Sequence, residues 1–142
     1  MAYVIGVDLG TSAVKVLLVS RAGDIVHEVS KSYPLIHEKA GYSEQDPDEW
    51  VKQTILALKE LVQQIGGEVS QVEGMSFSGQ MHGLVLVGSD GKPLRPAILW
   101  NDTRTSAQCK QIYETAGKDT VHRLTKKSGI GRLYVTETSV GT

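Results

Sequence analysis

Apolar positions along the chain change their spacing at a few points, and each change marks a new element. Residues 3–9 form an apolar run rich in β-branched side chains, residues 13–19 a second, and residues 24–33 a third with looser alternation. The segments between them, Gly10-Thr11-Ser12 and Arg21-Ala22-Gly23-Asp24, are too short for a crossover. The three runs are therefore predicted to be antiparallel neighbours in a meander. Residues 34–45 have no period and are expected to form a loop. From Trp50 the spacing becomes three and four: Val51, Thr54, Ile55, Leu58, Leu61, Val62 and Ile65 complete one apolar stripe of a helix. Its start is signalled by Asp46 as N-cap, Pro47 at the first helical position, and Asp48 and Glu49 in the first turn. Gly66-Gly67 is its expected stop.

Shorter runs follow. Residues 72–78, 83–87 and 96–100 read as strands, with a turn at 89–93 between the last two. Residues 103–115 read as a second helix, capped by Asp102 or Thr103 and ended by Gly117, and residues 119–126 as a short third helix. From Ser128 onward neither period holds. No repeat or linker divides the chain, so the pattern predicts one α/β unit with antiparallel strands first and helices after.

Composition narrows the function classes. The 142 residues are enough for a real core, and 15 Lys+Arg against 16 Asp+Glu leave a net charge of -1. That balance argues against a nucleic-acid partner, which selects for a basic face. The sequence has no apolar run of the roughly 18 residues needed to cross a bilayer. The start reaches Asp8 before an apolar signal segment could form. No membrane association and a cytoplasmic location are the expectations. The single cysteine, Cys109, can form neither an internal disulfide nor a thiolate zinc cluster, and is expected to be a small buried apolar group. His27, His37, His82 and His122 lack metal-ligand spacing.

Three segments can carry chemistry. In Gly6-Val7-Asp8-Leu9-Gly10-Thr11-Ser12, Gly10 permits a tight bend, and the turn's N–H groups with the Thr11 and Ser12 hydroxyls can face an anion. Asp8 can hold Mg²⁺ directly or through water, since magnesium favours one or two carboxylates plus phosphate oxygens. An ordinary hairpin with Asp8 as a turn cap accounts for the same residues. In Ser78-Gly79-Gln80-Met81-His82-Gly83, two glycines bracket an amide, a thioether and an imidazole at a strand end. His82 can hydrogen-bond a sugar hydroxyl or simply be satisfied within the turn. In Trp100-Asn101-Asp102-Thr103-Arg104, Trp100 can wall a small polar ligand. The polar residues after it can reach that ligand, or pair with each other and cap the helix. Lys126-Lys127 reads as a solvated pair.

Taken together, Gly6 to Ser12, the stretch Ser43-Glu44-Gln45-Asp46-Pro47-Asp48-Glu49-Trp50, Gly79-Gln80-Met81-His82-Gly83 and Leu99-Trp100-Asn101-Asp102 resemble the N-terminal lobe of the FGGY carbohydrate kinase family. The likeness runs in order from about residue 3 to 125, and the Gln-Met-His and Trp-Asn-Asp segments resemble the branch that acts on D-xylulose. The first motif is shared with actin- and chaperone-like ATPases. The resemblance implies a ribonuclease-H-like (actin/hexokinase-type ATPase) α/β lobe with a mixed five-stranded sheet, its first three strands antiparallel, and flanking helices. It implies ATP-dependent phosphorylation of D-xylulose to D-xylulose 5-phosphate in a cleft between two lobes. Kinases of L-ribulose or glycerol, or a non-kinase ATPase, are the alternatives. It further implies that Asp8 assists Mg²⁺ and ATP, and that Gly10, Thr11 and Ser12 face the phosphates. Gln80, Met81 and His82 would contact the ketose and Trp100 would line its pocket. The full-length enzyme is expected to be a homodimer. The family's general base is an aspartate in the middle of a much longer chain, followed by the adenine-binding lobe, so residues 1–127 are expected to be an incomplete lobe that is inactive alone. Residues 128–142 lack the Gly-Phe-Thr-x-Pro-Lys-like continuation of the family and are expected to be a frame-shifted or artificial end.

Overall fold

A computed structural model describes residues 2–125. The expected unusual segment at 128–142 lies outside the described residues. Strands β1 (Tyr3–Leu9), β2 (Ala13–Ser20) and β3 (Ile25–Ser32) form the predicted meander. Tyr3 to Leu9 pair antiparallel with Ser20 to Val14, and β2 pairs antiparallel with β3 through one irregularity at Leu18/Val19.

A two-residue strand β4 (Glu44–Gln45) and helix α1 (Pro47–Ile65) follow. The helix starts as read: the Asp46 carboxylate accepts from the Asp48 N–H at 3.0 Å, and Pro47 occupies the first turn, where a missing N–H costs nothing. It also stops as read, with Gly66 as its C-cap at φ 51°, and a 3₁₀ segment, Gly66–Gln71, carries the chain on. Strand β5 (Val72–Gly79) then pairs parallel to β1, giving the sheet order β3-β2-β1-β5. This sheet thus has four strands among the described residues, against the five implied by resemblance.

The core forms where the α1 stripe meets the inward face of the meander. Tyr3, Ile5, Val7, Val14, Val16, Leu18, Val29 and Tyr33 alternate with outward positions, and Ala57, Leu61 and Ile65 of α1 close over them. The stripe is narrower than its periodicity predicts. Val51, Ile55 and Val62 remain exposed, because α1 packs on β2 and β3 and presents only one edge of the stripe to them. On β5, Met75 and Phe77 are likewise exposed although they share a face with core residues Ile5 and Val7.

Downstream, the predicted strand at 83–87 is absent. Leu84 and Val87 make only isolated bridges, to Ile98 and Pro93, because the turn through Gly88 and Gly91 consumes the neighbouring backbone groups. The strand read at 96–100 shortens to β6 (Ala97–Ile98), which pairs with β4 inside the stretch expected to be loop. Helix α2 (Ser106–Ala116) starts later than read, since the Asp102 side chain turns the backbone at Arg104 rather than capping a helix there. Helix α3 (Lys118–Thr125) completes the described chain, and Cys109 is buried as expected. No helix among the described residues is long and apolar enough to cross a membrane.

The packing separates two residues that hydropathy treats alike. Leu61→Ala should destabilise the fold by about 2–5 kcal/mol, whereas Phe77→Ala should change stability by no more than about 0.5 kcal/mol. Urea unfolding of the two variants measures both, and equal losses would contradict this description of the core.

Candidate active site

Two strand ends meet because β1 and β5 run in the same direction and finish in register, Leu9 beside Gly79. The chain leaves each strand at the same edge of the sheet, where ligand-binding crevices of α/β proteins form. At the end of β1 the backbone reverses within Gly10, Thr11 and Ser12, and Gly10 N–H donates to Ala13 O at 3.0 Å. A side chain at Gly10 would sit 3.1 Å from that same oxygen, so the bend favours glycine. Tyr33 holds the turn from β3's side. Its hydroxyl donates to Gly10 O and its N–H to Ser12 O. Burial pushes the Tyr33 phenol's pKa up, and the Asp8 charge adds to that shift.

At the end of β5, Gln80 N–H donates to Leu9 O at 2.8 Å. A Cβ on Gly79 would lie 3.0 Å from Leu9 O and 3.1 Å from Leu9 Cβ, so any side chain there would have to push the two strand ends apart by a few tenths of an ångström. His82 follows with φ 66°, the one non-glycine among the described residues in the left-handed region. Such a backbone is uncommon for a non-glycine residue, though histidine adopts it more readily than most, and strained conformations cluster at functional sites. From the other side, Trp100 Nε1 donates to Thr11 Oγ1 at 3.2 Å.

These segments enclose a cleft of about 410 Å³ lined by Asp8, Gly10, Thr11, Gly79, Gln80, Met81, His82 and Trp100. Seven of the eight residues singled out from the sequence are thereby brought together. The eighth, Ser12, is exposed at the turn and outside the lining. Asp8 is the only acid in that wall, and no group of three or more His, Cys, Asp or Glu side chains forms among the described residues. One carboxylate facing an open cleft suits an ion that keeps waters and phosphate oxygens as its other ligands, which is the habit of Mg²⁺ rather than of zinc. Thr11 Oγ1 accepts from the indole and retains its own proton for an anion.

The open alternatives at the third segment resolve toward structure for Asp102 and Arg104. Arg104 grips the Asp102 carboxylate through Nε at 2.9 Å and Nη2 at 2.7 Å, and reaches Glu44 Oε1 at 2.7 Å. Its guanidinium lies 3.8 Å from the centre of the Tyr42 ring. Asp102 also accepts from Ser43 N–H at 2.7 Å, and Arg95 joins Glu44 from outside. This clamp fixes the 43–45 segment against the Trp100 loop. The Asp102–Arg104 pairing is one of the alternatives read from the sequence, whereas its link to Ser43 and Glu44 is not, because contacts across that separation leave no local signal.

Residues 3–138 fit the description "FGGY family of carbohydrate kinases, N-terminal domain". The chain is 59% identical over 117 residues to the xylulose kinase of Bacillus subtilis, a match covering 82% of this chain and 23% of that protein. It is similar to the ligand-bound xylulose kinase from Lactobacillus acidophilus, with TM-score 0.78 and 33% identity over 87% of this chain and 24% of that one. The gluconate kinase from Lactobacillus acidophilus is as close, with TM-score 0.78 and 34% identity over 86% and 24%. The chain spans about a quarter of the length of the curated relatives it matches.

The clamp makes the fold sensitive to acid. Burial alone would raise the Asp102 pKa, but hydrogen bonds from the Arg104 side chain and from the Ser43 and Arg104 N–H groups outweigh it and hold it below the ordinary aspartate value. A lowered folded-state pKa contributes stability above the unfolded value of about 4 and loses it as the pH falls through the folded value. Asp102→Asn should therefore be less stable than the parent at neutral pH and converge with it as the pH falls through the folded-state pKa. Urea midpoints across that range measure this, and a constant gap would refute it.

Proposed function

The chain belongs to the FGGY family of carbohydrate kinases, and on that premise we propose that it is the sugar-side part of a two-lobe enzyme that moves the γ-phosphoryl group of ATP to a ketose. The substrate we assign is D-xylulose, giving D-xylulose 5-phosphate, with residues 1–127 belonging to the N-terminal lobe. The observation that carries this reading is the convergence of the Gly10–Thr11 turn and the Gly79–His82 loop on one cleft. Likeness to xylulose kinases supports the choice of ketose.

Phosphoryl transfer asks a protein mainly for positioning and charge neutralisation. Gly10 spends its own N–H on closing the turn, so Thr11 is the group of the cleft wall that faces the phosphates, with Ser12 reaching them from the exposed edge of the turn. Asp8 holds Mg²⁺, which supplies neutralisation of the phosphate charge when bound. Gln80, Met81 and His82 bind the ketose, and Trp100 walls the pocket while its N–H keeps Thr11 in place. The left-handed backbone at His82 sets the direction of the imidazole before the sugar arrives, which reduces the ordering needed on binding. The proton acceptor for the sugar hydroxyl and the adenine site belong to the rest of the enzyme.

A second reading, phosphorylation of a sugar acid, is favoured by the equal structural likeness to gluconate kinase. Both are tested in an enzyme in which this chain is followed by the remaining kinase portion, assayed for ATP-dependent phosphorylation of D-xylulose, L-ribulose, glycerol and D-gluconate. D-xylulose should give the highest kcat/KM. His82→Ala should raise the ketose KM roughly tenfold with the ATP KM unchanged, and Asp8→Asn should lower kcat about a hundredfold. Preference for gluconate, or an effect of His82→Ala confined to ATP, would overturn the assignment.

A further inference from the structure

Beneath the cleft lies a polar side chain to which the reading above assigns no task. Gln45, at the end of β4, is 1% exposed. Its amide makes three hydrogen bonds. Nε2 donates to Thr11 O at 2.6 Å, while Oε1 accepts from the Trp50 indole Nε1 at 2.9 Å and from Gln80 Nε2 at 3.2 Å.

The orientation of this amide is dictated by its neighbours. A backbone carbonyl can only accept and an indole N–H can only donate, so turning Gln45 over would set like groups against each other at both contacts. Gln45 Oε1 then claims the NH₂ end of Gln80. The other end, Gln80 Oε1, is buried and has no hydrogen-bond donor among the described residues. Gln80 lines the cleft, and its NH₂ group is committed to Gln45 below, so the hydrogen bond to Gln45 holds this side chain in the cleft wall.

We propose that Gln45 is a positioning residue of the kinase site: one arm fixes the Thr11 turn, and the other holds the Gln80 side chain in place in the cleft wall. This rests on the reading of the cleft as a sugar and nucleotide site. Trp50 is the anchor of the relay, since its N–H fixes the Gln45 oxygen from the first turn of α1. Gln45 touches neither substrate and acts only through Thr11 and Gln80.

The two arms can be separated by substitution in the complete enzyme. Gln45→Glu keeps an acceptor for Trp50 and Gln80 but sets a carboxylate oxygen against the Thr11 carbonyl. It should raise the ATP KM roughly tenfold and leave the ketose KM within about twofold. Gln45→Met, of similar shape, loses both arms and should raise both KM values roughly tenfold. Adding Gln80→Ala to Gln45→Met should then weaken ketose use no further than the worse single change, because the two act as one unit. Equal effects of Gln45→Glu on both substrates, full additivity in the double variant, or a lowered Tm with both KM values unchanged would each overturn the proposal. If the parent enzyme prefers another sugar, that sinks the D-xylulose reading only. The same comparison is then run with the preferred sugar, and ATP affinity is read by calorimetry in either case.

Discussion

Everything at the cleft depends on the parallel register between β1 and β5. In an antiparallel pair the two strand ends would lie at opposite edges of the sheet, and the Gly10 turn and the Gln80–His82 loop could not share a pocket. Parallel pairing brings Leu9 beside Gly79 and lets Gln80 N–H close onto Leu9 O. The absence of a side chain at Gly79 makes that closeness sterically possible. A hydrophobic core under β1, built from Ile5 and Val7, then holds the junction still.

A second layer of polar contacts aims the pieces that the sheet brings together. Glu44, Asp102 and Arg104 form a nearly dry ion cluster, with two carboxylates flanking one guanidinium that also lies over Tyr42. Clusters of this kind add little net stability over apolar packing, but losing one member leaves an uncompensated buried charge. Their effect here is geometric. They fix the strand that carries Gln45 to the loop that carries Trp100, and those two residues contact Thr11 from different directions. The turn proposed to face phosphate is therefore held by β3, β4 and the Trp100 loop together.

Much of this was legible from the chain alone. The meander follows from period-two runs joined by turns too short for a crossover, and the α1 start follows from Asp46 and Pro47, whose local chemistry needs no partner. The cleft residues stood out because glycines flank functional side chains at strand ends. What escaped was long-range. Strands β4 and β6 have two residues each and so no period. The stretch 83–87 alternates like a strand yet lacks a continuous partner. Gln45 is polar and fully buried, a combination hydropathy reads as loop, and its role appears only through Thr11, Trp50 and Gln80. The α1 stripe was over-read for a related reason: periodicity marks which positions are apolar, not how many of them a neighbouring element covers.

The same register has a kinetic consequence. The β1–β2 and β2–β3 pairs join residues close in sequence, Leu9 to Val14 and Ala13 to Ser32 at their nearest ends and furthest ends respectively. Leu9 must find Gly79 across the whole of the meander, α1 and the 3₁₀ segment. Closing so long a loop costs chain entropy before any contact repays it, and contacts of high sequence separation slow folding. The meander with its Gly10 turn can form from local contacts, whereas the loop bearing His82 reaches its place only when β5 docks. Part of the pocket is thus a property of local sequence, and the Gly79–His82 part is the product of a long-range pairing, so a substitution that delays β5 withholds that part of the site without altering a single residue within it.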